Sequence, residues 1–591
     1  MPNDKRELKI FKMSRISSGI RHSGFLCHWV FRHSQVSDHE ERMLPSIRAY
    51  LSGIHVRLIL TFVCIVSGLS GFALAQPLVI VSDAQARAVI VVADNAPAST
   101  KTAAGHLQTI IAQMSGGQLP IQAESAYDGS RPAILVGMSS VASRMDINVA
   151  QDPEAGDQYI VRSGDDWLAL IGNDGGRLCG SAYAVYDLLQ RLGCGWYGPD
   201  PVWHVIPESP DVTVSPLNVH ERPDFAVRHI WMVDPHPPLR FAWRLGALWI
   251  PMHHNLDALV PPAEYKEAHP EWFGLGQPCL TEPAVRQVIV EKFRTELDAQ
   301  EGGLSFSLAA NDSDEFCECD RCRAAGNVSA RQMQFANNIA RQLHETHLGP
   351  FRLCFLAYWV THAPPEPMVE AEPGVIVVIV NEGNHVRPLD EPVPPEHARL
   401  GRNNLRERRA MAGWMKTGAL RGVYEWWIPG CSDGNWRSVP WYSGETALRN
   451  LRYWKAHGIR YLTYETAYEN GNGFPIRWPL YYVGARGAWN TDLTSGRIMT
   501  AACEKLYGSA AAHMFEFYRI FELAMAVCNE PGGNWNLPNP EKVYSPNVGA
   551  EATAHLQRAA QATDDPKALA RIAEEQKMWD EAHRTLANLR F

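Results

Sequence analysis

The sequence predicts an α/β protein: a small α/β sandwich domain, then a (β/α)8-type TIM barrel, then a C-terminal helical region. Three observations predict it. Short β-branched runs alternate with helix-period stretches through residues 77–217. The alternation resumes after a proline-marked break and repeats over residues 222–490. Acids then stand just past several of the later apolar runs, where the loops of a parallel barrel converge.

The elements follow in chain order. Leu58–Leu74 is the strongest apolar run, with Arg48, His55 and Arg57 before it and Ala73-Leu74-Ala75 closing it. A basic n-region, a short apolar stretch and an A-x-A site describe a secretory signal peptide (58–75), cleaved near Ala75. Ser67, Gly68, Ser70 and Gly71 interrupt the run and argue against a permanent span. No cysteine follows the site, so no lipid anchor is expected. Met43 is the better start for such a peptide, and residues 1–42 read as a gene-model extension. The mature chain is expected in the periplasm or outside the cell, with no membrane span.

In 77–217, Ala88–Ala93, Ala133–Val136 and Leu168–Ile171 read as strands. Thr100–Met114 has helical spacing (Ala103, Leu107, Ile110, Ile111, Met114) and is stopped by Gly116-Gly117. A second helix, Leu178–Leu192, ends at Gly193. Pro207, Pro210 and Pro216 mark a linker. In 222–490 the expected strands are His229–Val233, Ala247–Met252, Leu304–Ala309, Leu353–Tyr358, Val375–Val380, Gly422–Trp426 and Arg460–Tyr464. Between them lie helix-forming stretches at Ala284–Gln300, Ala330–His347, Asn404–Lys416 and Glu445–His457. Seven strands are identifiable; the eighth is not. In 491–591, Thr500–Ala526 reads as one long helix and Ala550–Arg590 as amphipathic helix.

Composition narrows the function. The 591 residues carry a net charge of −9, with 46% hydrophobic and 20% charged residues. That is an ordinary globular balance over two or three domains, without the basic face a general nucleic-acid binder needs. Nineteen tryptophans are many. Sugar rings stack on such faces, although most tryptophans fill cores.

The strand ends carry the chemistry. Leu304–Ala309 runs into Asn311 and Asp312, Val375–Val380 into Asn381-Glu382, and Arg460–Tyr464 into Glu465 with Glu469 beyond. Glu425 lies near the end of Gly422–Trp426, and His253-His254 follow the second strand. Glycoside hydrolysis needs two carboxyl groups, one protonated for the leaving oxygen and one ionised as base or nucleophile. Glu382, after a very apolar strand, is expected to be the general acid. Glu465 is expected to oppose it, with Glu425 as substitute. Asp312 and Asn311 would hold hydroxyls or orient an acid, or form a structural turn. His254 would meet a hydroxyl or a uronate carboxylate. Trp359, Trp426 and Trp427, with Trp231 and Trp436, are stacking candidates, at least half of them expected in the core.

Three cysteines cluster as Cys317-Glu318-Cys319-Asp320-Arg321-Cys322. With Cys279 they would suit a closed tetrahedral zinc site that pins the loop carrying Asp312. Disulfides are the alternative in an exported chain. A catalytic zinc is not expected, since no histidine sits at ligand spacing beside the cluster, and no cofactor is required for catalysis.

Several of these residues form a recognisable series: His254 with Pro261-Pro262, His269-Pro270-Glu271-Trp272-Phe273, Cys279-Leu280-Thr281, Asn311-Asp312 and the cysteine cluster. Tyr358 with Pro364-Pro365, Glu382 with Pro388-Leu389, Glu425, and His457-Gly458 with Glu465 continue it. The series resembles a domain-of-unknown-function family of secreted bacterial proteins related to α-glucuronidases. Gly176-Arg177, Gly180, Tyr183-Ala184-Val185-Tyr186, Gly193 and Trp196-Tyr197-Gly198-Pro199 are similar to the small domain before the barrel in α-glucuronidases and β-hexosaminidases. The resemblance spans about residues 80–525 and implies fold and enzyme class rather than a substrate. Two departures stand out: Tyr424-Glu425-Trp426 replaces a Trp-Asp-Tyr-like stretch, and Gly383-Asn384 stands where relatives have cysteines.

The expected function is that of an exported glycoside hydrolase, α-glucuronidase-like, acting on oligo- or polysaccharide. The alternatives are a non-catalytic glycan-binding protein on a degenerate barrel and a metal-dependent hydrolase.

Overall fold

The computed structural model describes residues 76–590, apart from 153–155, 232, 234–235, 248–249, 300–303, 384, 393–397, 428–435, 437, 467–472, 529 and 531–536. The expected signal peptide and Glu469 therefore lie outside the described residues. No described helix is long and apolar enough to cross a membrane.

The first part is a six-stranded mixed sheet, in the order Asn218–Glu221, Tyr159–Ser163, Trp167–Gly172, Ala133–Val136, Val89–Val92, Ile121–Ala123. Strand alternation gives it two apolar faces. Ile90, Val92, Ile134, Val136, Leu168 and Leu170 join the large core with the helices Ala98–Ser115 and Gly180–Arg191. Val89, Val91, Leu135, Ala169 and Ile171 form a smaller core with Val141, Ala142, Ile147 and Val149. Gly116 ends the first helix in the left-handed conformation, as the Gly-Gly pair predicts.

The second part is a seven-stranded sheet. Its strands are β1 (Val227–Ile230), β2 (Gly246–Ala247), β3 (Leu304–Ser307), β4 (Phe351–Ala357), β5 (Val375–Val380), β6 (Leu420–Trp427) and β7 (Tyr461–Thr466). The order is β2-β1-β7-β6-β5-β4-β3, with every pair parallel except β1–β2. This is a parallel half-barrel sheet. A single parallel bridge, His254–Ala309, brings the chain after β2 beside the chain after β3. β5 is apolar at all six positions because both of its faces are buried.

Three expectations change. Among the described residues of Ala247–Met252 there is no parallel strand: Gly246–Ala247 pairs antiparallel to β1, while Ile250 and Met252 pack inside the sheet's curve. Among the described residues there is no eighth strand, because β7 pairs directly with β1 (Tyr461 opposite Val227). Thr500–Ala526 is two helices, Ser495–Tyr507 and Ala511–Ala526. Gly508, at φ +51°, ends the first, a conformation that costs glycine little. The tail continues as Pro546–Gln561 and Pro566–Leu589.

Buried charge joins the two sheets. Arg228 on β1 is fully buried and pairs at 2.6 Å with Asp157. Arg244 pairs at 2.5 Å with Asp187 and donates to the Tyr159 hydroxyl at 3.0 Å. Both guanidiniums lie against the Trp489 ring, at 5.1 and 5.6 Å from its centroid.

Candidate active site

Period two decides which side chains reach the inside of the curve. Val227 and Trp231 on and after β1, Leu356 and Tyr358 on and after β4, Ile376, Val378 and Val380 on β5, and Tyr424 and Trp426 on β6 share the inner cluster. Val423, Trp427, Leu462 and Tyr464 belong to the outer core beneath the helices. On β7, Thr463 accepts from the inner Trp231 indole N–H at 3.1 Å, so Glu465, two residues on, also faces inward.

Glu465 is half-buried and accepts the Tyr424 hydroxyl. Burial pushes its carboxyl above the usual range, opposed by the Tyr424 bond and by nearby His254. Tyr358 lines a cleft with Asp312 and also feels the charge of Glu465. Burial raises its phenol first, and the charges of Asp312 and Glu465 raise it further. His254 Nδ1 faces the Ala310 carbonyl and must donate to it, which leaves Nε2 turned to Asp312 Oδ1 at 4.0 Å. The rings of Trp231, Tyr424, Trp426, Tyr358 and His254 follow one another at centroid separations of 5.7 to 6.4 Å. Beside them lies a cleft of about 280 Å³ lined by His254, Asp312, Tyr358 and Trp359.

Glu382 sits differently from its expected role. Its Oε1 accepts the Trp359 backbone N–H at 3.0 Å, and its Oε2 is paired with Arg406. A guanidinium and an N–H donor both stabilise the charged carboxylate, which opposes a general acid. Its own N–H donates at 3.2 Å to Glu407 Oε2, which also faces His362 Nε2 at 2.8 Å in a buried pair. Trp359, at φ +50° and half exposed, is a rare left-handed non-glycine, with the Glu382 bond on its N–H.

Glu425 is on the opposite face from the mouth. It is 2% exposed and held by Asn381 Nδ2 at 2.7 Å, His385 Nδ1 at 3.1 Å and the Trp426 N–H at 3.0 Å. Trp427 shares that outer face, stacked on Tyr464 at 3.8 Å, and packs in the core rather than in the mouth. Trp436 is likewise fully buried, against Trp441.

Asn311 is committed to the loop. Its Nδ2 donates to Asp257 Oδ1 at 2.7 Å and its Oδ1 accepts the Asp257 N–H at 2.9 Å. Its backbone is clasped by fully buried Gln277, whose Oε1 accepts the Asn311 N–H at 3.1 Å and whose Nε2 donates to Asn311 O at 2.8 Å.

Sequence reasoning did not single out Tyr424 as a partner, nor Gln277, Arg406 or the Glu407–His362 pair. Strand parity was the available signal for Tyr424, since it shares a face with Trp426. The other three are long-range contacts that spacing does not encode.

Cys279, Cys317, Cys319 and Cys322 converge, with all four sulfurs within 4.8 Å of one another. The distances from Cys279 Sγ are 3.6 Å to Cys322 and 3.9 Å to Cys319, so these pairs are not disulfide-bonded.

A family model described as "Domain of unknown function (DUF4838)" matches residues 196–519. No curated protein matches the chain. Among solved structures, the chain is similar to BtGH115A, a family GH115 4-O-methyl-α-glucuronidase with specificity for decorated arabinogalactans. The two are 14% identical with a TM-score of 0.54, over 86% of this chain and 73% of that one. A GH138 enzyme targeting pectin rhamnogalacturonan II is 10% identical at a TM-score of 0.45, over 84% and 86%. A family 89 glycoside hydrolase from Clostridium perfringens is 10% identical at 0.47, over 80% and 60%. At 14% identity the likeness to BtGH115A is one of fold.

Proposed function

The chain belongs to the DUF4838 family, and from that premise we propose that it is an exported glycoside hydrolase built on a (β/α) barrel. The observation that carries this is Glu465: inward-facing, half-buried, bonded to Tyr424, and set with Asp312 around Tyr358 in an aromatic mouth. The fold of BtGH115A supports the class and favours a uronate-bearing oligosaccharide, whose carboxylate His254 would meet.

In this reading Glu465, whose carboxyl burial pushes above the usual range, gives a proton to the departing glycosidic oxygen. Asp312 serves as base or nucleophile toward the anomeric carbon, and water completes the hydrolysis. Glu382 becomes a positioning residue that fixes Trp359 through its backbone N–H. This moves the general-acid role that the sequence suggested for Glu382 to Glu465, and the opposing role suggested for Glu465 to Asp312.

The test is a panel of aryl glycosides and uronic-acid oligosaccharides with wild type, Glu465→Gln, Asp312→Asn and Glu382→Gln. Loss of about 10²–10⁴-fold in kcat is expected for the first two variants. Glu382→Gln should chiefly raise KM. Full activity in Glu465→Gln overturns the assignment, and glycan binding without turnover by wild type favours a binding protein.

A further inference from the structure

We propose that Cys279, Cys317, Cys319 and Cys322 hold one structural zinc ion, which fastens the loop bearing Asp312. The sulfur geometry points to the metal independently of the glycosidase reading.

Four zinc–sulfur bonds of about 2.3 Å in a tetrahedron place neighbouring sulfurs about 3.8 Å apart. The separations of 3.6 and 3.9 Å from Cys279 match that edge. They are far above the roughly 2.05 Å of a disulfide. Four sulfur ligands leave no open position, which is the pattern of a structural site rather than a catalytic one. Three of the sulfurs belong to buried residues and Cys319 is half-buried, so solvent has little access to the metal.

The surroundings are built for such a centre. The Thr281 hydroxyl lies 3.2 Å from Cys322 Sγ and 3.4 Å from Cys279 Sγ, placed to donate to thiolates. Arg331, 7% exposed, braces the loop by donating to Cys317 O and Gly326 O, both at 2.9 Å. Gly274 packs where a Cβ would strike the Cys317 backbone, so the two ligand-bearing segments touch without room for a side chain.

The quartet is also wired to the mouth. Cys279 ends a turn closed by the Phe273–Pro278 bridge. Within that turn, Gly276 and Gln277 donate their N–H groups to Glu315 O at 3.0 and 3.1 Å. The Gln277 side chain holds Asn311 and donates at 3.1 Å to Ser313 O, on either side of Asp312. A metal joining Cys279 to Cys317, Cys319 and Cys322 therefore closes a ring of contacts around the loop that carries Asp312.

The experiment measures metal in the full exported chain, purified without a metal-affinity step, by plasma mass spectrometry. About one zinc per chain is expected, falling at least tenfold in Cys319→Ser and Cys322→Ser and unchanged in Cys179→Ser. Cobalt(II) substitution should give the absorption of a tetrahedral thiolate site. Hydrogen exchange of the wild-type protein after zinc removal should speed at the Gly276, Gln277 and Asn311 amides. Folded wild-type protein with no metal, with equimolar iron instead, or with these cysteines in disulfides would overturn the proposal. The wild-type measurement decides the matter even where a variant does not fold.

Discussion

Tyr424 on β6 donates its phenolic hydrogen bond to Glu465, one strand over and two residues beyond the partner that faces it. The bond stabilises the charged carboxylate and works against the burial that raises it. A hydrogen bond to a charged group is worth roughly 1.5–3 kcal/mol, and about 1.4 kcal/mol corresponds to one pH unit. Tyr424→Phe should therefore move the alkaline limb of the kcat/KM–pH profile upward by about one unit. Glu465→Gln should abolish that limb together with most of the activity. A profile unchanged by Tyr424→Phe would separate Glu465 from the proton transfer.

Glu425 gives a contrasting expectation. Its oxygens accept from Asn381 and the Trp426 N–H, and His385 stands at 3.1 Å, all away from the mouth. Glu425→Gln sets an amide N–H₂ among these donors, and a buried mismatch of this kind costs roughly 1–3 kcal/mol. Chemical denaturation should show that loss, while kcat of the folded fraction stays within a few-fold of wild type. A large loss of kcat at full stability would return Glu425 to the chemistry.

Glu575 predicts a pH-dependent stability. It is 3% exposed, accepts from Tyr518 at 2.5 Å and Trp478 at 3.1 Å, and burial pushes its carboxyl up to about 7. With an unfolded value near 4.5, the native state binds the extra proton between these two pH values. Its contribution is thus fully present below pH 4.5 and is lost as pH rises through about 7. The span corresponds to roughly 3 kcal/mol. Comparing wild type with Glu575→Gln across that window isolates the effect: the variant should lack this part of the slope.

The Arg228–Asp157 pair ties the first sheet to β1. Asp157→Asn leaves a fully buried guanidinium without its counter-charge, a change that costs about 3–5 kcal/mol. The midpoint of urea unfolding should fall accordingly. A shift of under about 1 kcal/mol would mean that Arg228 is compensated elsewhere.

Much of the fold was legible because burial writes a period into the chain. Val375–Val380 announced a strand covered on both faces and is one, and Ala133–Val136 has the bounds read from its apolar run. Ala247–Met252 misled because buried apolar residues such as Ile250 and Met252 look the same whether or not their backbone pairs in a ladder. At the mouth, the sequence placed Glu382 and Glu465 at strand ends. It carried no trace of Arg406, 24 residues beyond Glu382, which turns that carboxylate from acid to anchor. Glu425 and Trp427 were misplaced although parity was readable: with Tyr424 and Trp426 inward, both must point outward.

That parity bears on how the site can change over time. Strand β6 carries two alphabets in one line, a wall of the mouth on even positions and the helix-facing core on odd ones. Loss or gain of a single residue within Leu420–Trp427 would exchange them at once, sending Glu425 inward and Tyr424 outward. In such a strand a substitution disturbs one face, whereas slippage disturbs both. Length variation must collect in the loops, where new specificity can be tried without disturbing the wall.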